Sequence, residues 1–371
     1  MRKSNLVLSV IFLFTVTLFF QSCEKDNPTP KPVTENILPE EFTVEIPQSI
    51  KLNELTEFEN RDLDTLQGNV IYSHLMTFVA VGDFGAATVR EVIHTLRRFN
   101  INGPMSFTFT SDKDGRVKQI EVVEDSEFEG TTWQYELEMK DIDEDSETTY
   151  GGKAVQIFWN RNPVVGVAIF NPHNINRVER NNPDLMYRVD YNSASDLGYA
   201  KHMIVSLSGL VVANPLEHKY DMSTLKMFVG KDGETIDLYG NSNHPNATFF
   251  NGDAGFNWAF AASGSRVGDL AVAEVGLPRS TADISDRQSI LVDNSIENVF
   301  SNQIFETWPD IDSTSVSAYL YNTQAPGFFD LYGFMQAGTA PDSGYSVYED
   351  RILDLTPYNP KEISELSLEF K

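Results

Sequence analysis

The chain has 371 residues, with 28 Lys and Arg against 54 Asp and Glu, a single Cys, and a formal charge of −26. Nucleic-acid binders gain affinity by replacing counterions with Lys and Arg, so this balance argues against nucleic acid, and one Cys excludes an intramolecular disulfide or a Cys-based zinc site. At 41% hydrophobic and 12% aromatic residues the chain has the means to bury a core, in one large domain or two.

In chain order, Arg2 and Lys3 come first, then an apolar run from Leu6 to Phe20, then Phe20-Gln21-Ser22-Cys23. This is the charge, length and cleavage-site order of a secretory signal peptide over 1–22, and the run is too short to remain as a permanent span. The lone Cys after a small residue resembles a bacterial lipobox, with Phe20 where Leu is usual and Gln21 where a small residue is usual. Such loose boxes are similar to those of Bacteroidetes lipoproteins. The resemblance covers the leader and the segment after it, and implies lipidation of Cys23 and anchoring to the outer membrane, at the cell surface or, alternatively, facing the periplasm. Residues 24–32 are charged and Pro-rich, so 23–40 reads as the lipidated Cys and a flexible tether. No later apolar run reaches spanning length, which leaves the lipid as the membrane contact.

From 41 to 371 the pattern is that of a folded α+β region, with a possible subdivision near 240. Leu63, Leu66, Val70, Leu75 and Val79 have helical spacing, and Ala86, Val89, Val92, Ile93, Leu96 and Phe99 mark a second helical face. Gly82-Asp83-Phe84-Gly85 between them suggests two packed N-terminal helices, ended by Asn102-Gly103-Pro104. Hairpins follow: Phe107 to Thr110 and Val117 to Val122 flank Asp112-Lys113-Asp114-Gly115, Trp133 to Met139 alternates, 154–159 and 164–170 flank Asn160 to Pro163, and 225–229 and 235–239 flank Lys231-Asp232-Gly233. Gly255 to Ala262 and Leu270 to Val275 read as tightly packed strands, and Ser295 to Trp308 as one later helix. The expected fold is therefore a predominantly antiparallel sheet of hairpins with two N-terminal helices and one later helix.

The chemistry-bearing features are few. Asp112, Asp114, Gly115 and Glu121 match part of an EF-hand loop, but Thr110 stands at its first position and the flanks are strand-like, so a hairpin turn is the expectation. Between Glu121 and Glu147 lie twelve acids and only Lys140 as a base, a pattern expected of a solvated sheet edge. No HExxH, GxSxG, P-loop or GxGxxG occurs, and the six His residues have no metal-ligand spacing, so neither a metal nor a cofactor is implied.

Two constellations stand out. Arg90, His94, Arg97 and Arg98 fall within about a 100° arc of helix, a basic stripe suited to an acidic partner or to the protein's own acids. The polar run from Tyr239 to Asn246 reads as a loop, in which Asn241, Asn243 and His244 beside Trp258 offer the amide and aromatic groups that sugar recognition uses. The leading expectation is an envelope lipoprotein acting as a non-catalytic binding or structural module for a glycan or another envelope component, with an exposed patch at Asn241 to Trp258. The alternatives are a hydrolase of envelope or extracellular polymer with paired carboxylates, and a carrier of an apolar ligand. Oligomeric state is not legible.

Overall fold

The structure, a computed structural model, describes residues 36–51, 68–144, 146–210, 221–248 and 254–371. Leu63, Leu66 and Cys23 lie outside them.

Hairpin follows hairpin into one antiparallel sheet of thirteen strands whose spatial order is the chain order. The strands are β1 (Met105–Thr110), β2 (Val117–Phe128), β3 (Thr131–Asp141), β4 (Lys153–Arg161), β5 (Val164–Phe170), β6 (Met186–Asn192) and β7 (Lys201–Ser208). They continue as β8 (Thr224–Asp232), β9 (Thr235–Thr248), β10 (Ala254–Ser265), β11 (Ala271–Gly276), β12 (Gly327–Asp330) and β13 (Gly333–Ala337). Each expected hairpin is present, and the sheet continues unbroken through residue 240, the place of the possible subdivision. Two strands that the sequence pattern left unread, β6 and β7, complete the middle of the meander.

One continuous helix, α1 (Gly68–Arg97), replaces the two packed helices expected on either side of Gly82-Asp83-Phe84-Gly85. The glycines mark contact with the sheet, not a break. A Cβ on Gly82 would lie 2.4 Å from Met227 Cε, and one on Gly85 2.9 Å from Tyr187 Cδ1 and 3.1 Å from Val205 Cγ1. Their absence lets the helix settle onto β6, β7 and β8.

Near its start, Tyr72 stacks on Phe334 of β13, and just past its end Phe99 packs on Phe107 and Phe109 of β1. Thirteen flat strands would span about 58 Å, against about 45 Å for this helix. Because α1 also touches the middle strands, the sheet must curl around it. The core is what lies between: Leu75, Val79, Val89, Ile93 and Leu96 of α1 meet Ile120, Leu137, Ile157, Val189, Val205, Met227, Leu238 and Phe260 from the concave face. By length and composition α1 could cross a membrane, but these buried contacts make it the core helix of the domain.

An extended strap of residues 36–50 fills the space beside α1, burying Ile37, Leu38, Phe42, Val44, Ile46 and Ile50. Trp159 Nε1 of β4 donates to the Ile37 carbonyl at 2.9 Å. The packed region thus includes residues 36–40, which the sequence pattern had placed in the tether; flanking charges and Pro39 hide two core side chains there.

The outer face carries two covers. Over β10 to β12, Ile290, Leu291, Tyr345, Ile352 and Leu355 pack on Ala259, Ala261, Val272 and Phe328, the close approach that the small residues of β10 allow. Over β3 to β6, the C-terminal Leu366, Leu368 and Phe370 pack on Trp133, Phe158, Val167, Ile169 and Met186. The helix expected over 295–308 forms as Ile296–Thr307, with the Ser295 side chain accepting from the Asn298 N–H at its start, but it is not the single later helix of the expectation, because shorter helices follow at Ser313–Tyr319, Ser346–Ile352 and Pro360–Ser364.

Candidate functional site

The expected ligand patch at Asn241, Asn243, His244 and Trp258 is not a surface. Tyr239 to Asn246 continues β9, paired on both sides as far as Asn243, and strand alternation divides its residues between the two faces. Asn241 and Asn243 point outward with Asn257, all buried. There Asn241 exchanges hydrogen bonds with the Tyr358 backbone, donating to its carbonyl at 3.0 Å and accepting from its N–H at 2.9 Å. Asn243 donates to Ser223 Oγ at 2.9 Å and accepts from Ser280. Asn241, with Asn257 donating to the Pro360 carbonyl at 3.3 Å, fastens the C-terminal segment to the sheet, while Asn243 ties in the loops that carry Ser223 and Ser280.

Ser242, His244 and Trp258 face the core. His244 Nε2 lies 2.8 Å from Ser242 Oγ, and its ring is 4.9 Å from that of Phe78 on α1. Trp258 packs 5.5 Å from His74 and 5.6 Å from Phe78. Burial lowers the His74 pKa, partly opposed by its 2.7 Å contact with the Val70 carbonyl.

The basic stripe sits as expected on the last turns of α1, with Arg90, His94 and Arg98 exposed. Its internal contacts are with the strap and not with the Glu121 to Glu147 region. Arg90 Nε donates to Thr43 Oγ1 at 3.2 Å, and Arg97 donates to the Leu38 carbonyl at 3.1 Å and to Glu40 at 3.0 Å.

The acid-rich region is more than a solvated edge, because two of its carboxylates anchor buried ionic clusters. Asp112 to Gly115 is the expected hairpin turn, and Asp114 turns back to bind Lys118 at 3.0 Å. The Lys118 ammonium, 1% exposed, spends its other donors on Asp141 at 3.0 Å and the Asn174 carbonyl at 2.9 Å. Burial would raise the Asp141 carboxyl, but hydrogen bonds from Arg116 and Lys118 hold it below its ordinary value. Burial likewise opposes the bonds from Lys118, Arg116 and Arg177 that lower Asp114. In the second cluster Glu136 accepts from Gln156 at 2.6 Å, Lys371 at 2.7 Å and Ser126, and these outweigh burial to lower its pKa. Each cluster pairs its acids with cations and locks chain segments together.

Burial raises one other carboxyl, Glu274 on β11, against the opposing charge of Arg287, its ion-pair partner. Arg287 also donates to the Ile352 carbonyl, so this pair belongs to the outer cover. Among the described residues, no group of three or more His, Cys, Asp and Glu side chains is placed to hold a metal ion.

A shallow concavity lies on the outer face, beside the side chains that the C-terminal tail covers. It encloses about 240 Å³ and is lined by Phe128, Trp133, Val165, Val167, Arg188, Asp190, Asn192 and His202, with Glu129 at its rim. Arg188 is its centre. Its guanidinium forks to Glu129 at 2.5 and 2.7 Å and reaches Asp190 Oδ1 at 2.7 Å, over the Phe128 ring at 5.8 Å. Phe128 stacks in turn on Phe158. The Arg188 hydrogen bonds hold the Glu129 carboxyl below its ordinary value despite burial.

His202 closes one side, its Nδ1 2.7 Å from Ser195 Oγ and its ring stacked 5.4 Å from Phe228. Burial lowers its pKa, with Asp196 and Asp190 opposing. These residues did not stand out in the sequence because they come from five strands and two turns. The available signal was the alternation of Met186-Tyr187-Arg188-Val189-Asp190-Tyr191-Asn192, which places Arg188, Asp190 and Asn192 on one face. No protein-family model, no curated protein and no solved structure matches this chain.

Proposed function

We propose that this chain is a lipid-anchored module of the bacterial outer membrane that binds a neutral, hydroxyl-rich ligand of the glycan class in the depression around Arg188, without catalysing its breakdown. The anchor reading rests on Arg2, Lys3, the apolar run and Cys23. The observation that carries the binding reading is the Glu129–Arg188–Asp190 bridge across a concavity lined by Phe128, Val165 and Trp133. Arg188 fixes both carboxylates in place while leaving them lone pairs, which accept from sugar hydroxyls, and the partly exposed Phe128 and Val165 offer apolar contact to one side of a ring. An anionic ligand is disfavoured, since two carboxylates face one guanidinium in a chain already at −26.

The same geometry favours binding over hydrolysis. A glycosidase acid needs a raised carboxyl to hold its proton near neutral pH, and Glu129 is shifted the other way. Carriage of an apolar ligand loses support because α1 and the strap occupy the concave side of the sheet.

Calorimetric titration with neutral oligosaccharides tests the reading. Saturable binding is expected, weakened about tenfold or more by Asp190→Asn, as for loss of a charge-assisted hydrogen bond of roughly 1.5–3 kcal/mol. Equal affinity of parent and variant, release of cleaved sugar, or no binding across neutral glycans would overturn it.

A further inference from the structure

We infer that the exposed stripe of Arg90, His94 and Arg98 is a docking surface for anionic lipid headgroups, which turns the end of α1 toward the membrane. The inference rests on the anchor reading above and adds an orientation to it. Two observations carry it, the place where the described chain begins and the sign of the local charge.

The first described residue, Asn36, donates from Nδ2 to the Arg97 carbonyl at 2.9 Å. Ile37 N–H then donates to the Ile101 carbonyl, so the chain enters the domain against the last turn of α1. Cys23 lies thirteen residues before Asn36. Even fully extended, a chain of that length reaches only about 45 Å. A lipid on Cys23 therefore holds this end of α1 near the bilayer.

Charge then selects the face. A protein at −26 is repelled by an anionic leaflet in most orientations. At the stripe Arg90, His94 and Arg98 are exposed and Arg97 pairs with Glu40, while the other exposed acids of the adjoining strap are paired elsewhere, Glu41 with Lys201 and Glu45 with Arg266. The nearest acid on the helix itself is Glu91, which is less exposed than the three basic groups. Phe99, 38% exposed, adds an aromatic edge beside Arg98. A competing role, complementing the helix dipole at its C-terminus, predicts an effect on stability and none on vesicle binding.

The test uses the mature polypeptide, residues 23–371 with Cys23→Ser, which retains every described residue but has no lipid. Sedimentation with phosphatidylcholine vesicles containing about 30% phosphatidylglycerol is compared with phosphatidylcholine alone. Preferential binding to the anionic vesicles is expected, falling as NaCl rises from about 50 to about 300 mM. Arg90→Gln with Arg98→Gln should lower partition about 30-fold, from roughly fivefold per Arg, and Arg98→Gln alone should lower it about fivefold with an unchanged denaturation midpoint. Arg98→Lys, which keeps the charge, should bind like the parent.

Equal partition of the Gln variant and the parent, or no preference for phosphatidylglycerol, would overturn the inference. Release by inorganic phosphate at constant ionic strength would assign the stripe to a soluble anion instead and overturn it too. The anchor is read separately, from the acyl mass on Cys23 of the full chain purified from membranes, so its failure leaves the vesicle result standing.

Discussion

Replacing Lys118 with Met should destabilise the domain by about 3 kcal/mol at pH 7, and the loss should shrink on acidification. The ammonium is 1% exposed and its three donors go to Asp114, Asp141 and the Asn174 carbonyl. Removing one partner from a buried ion pair typically costs about 3–5 kcal/mol, because the remaining charge is left unpaired. Asp141 keeps Arg116 and Arg177, which places the expected loss at the low end. Asp114 keeps only the N–H groups of Arg116 and Arg177.

The pH window follows from the sign. In the parent both carboxyls are lowered, so their contribution is present above the unfolded value near 3.8 and is lost as pH falls through the lower folded values. In the variant, burial without the ammonium favours the protonated acid, so the folded form takes up a proton at higher pH than the unfolded chain. The gap between parent and variant should therefore narrow from pH 7 toward pH 5, by at most about 1.4 kcal/mol per pH unit per proton. Urea unfolding at several pH values measures it. Adding Asp114→Asn to Lys118→Met should recover part of the loss by removing the stranded charge. A loss under about 1 kcal/mol at pH 7, or one that stays constant with pH, would refute the view that unpaired charge is what the mutation exposes.

Gly85→Val should cost about 1–3 kcal/mol by overpacking against Tyr187 and Val205. Gly82→Ala should be milder, since the nearest atom is the mobile end of Met227 and the helix gains up to about 1 kcal/mol in propensity; equal unfolding midpoints for the two variants would contradict this account of the glycines. His74 is half-buried and desolvation lowers its pKa, so its contribution is complete above about pH 6.5 and is lost as pH falls toward the folded value. His74→Phe should accordingly flatten the fall in unfolding free energy between pH 7 and pH 5, and an unchanged slope would count against it. Deleting residues 366–371 uncovers Phe158 and Ile169 and removes the Lys371 ion pair with Glu136. The expected result is a loss of several kcal/mol, at roughly 1.5–3 kcal/mol per large apolar side chain unburied, with new binding of a hydrophobic dye; wild-type stability without dye binding would show that the tail is not a cover.

The meander was legible where turn chemistry and alternation coincide. Asp112 to Gly115 and Lys231 to Gly233 each sit between alternating runs, and each closes a hairpin. The helix was misread because Gly82 and Gly85 carry two meanings: in an isolated helix they weaken it, whereas against β6 to β8 they permit contact that a side chain would block. Strands β6 and β7 escaped because Arg188, Asp190 and His202 interrupt their apolar residues with groups that face a depression. The hairpin of β12 and β13 was obscured by Gly327 and Gly333. At Gly327 a Cβ would meet the Tyr72 ring at 2.4 Å, so this residue too marks contact with α1.

Site reasoning from sequence failed at Asn241 and Asn243 for a reason that extends beyond them. Amide-rich segments suggest a solvated loop because a buried Asn costs several kcal/mol when its donors and acceptors go unmet. That penalty disappears when another segment supplies the partners, here the backbone of Tyr358 and the hydroxyls of Ser223 and Ser280. Those partners lie up to 117 residues away in sequence, so no local pattern could announce them. Arg188 shows the converse. Its neighbours Tyr187 and Val189 give the local pattern of a sheet interior, yet its own side chain needs carboxylates from β6 and from the turn after β2 to sit at the outer face. In this fold a polar residue on a strand either fastens a covering segment or lines the uncovered part of the outer face, and the path of the C-terminal tail decides which.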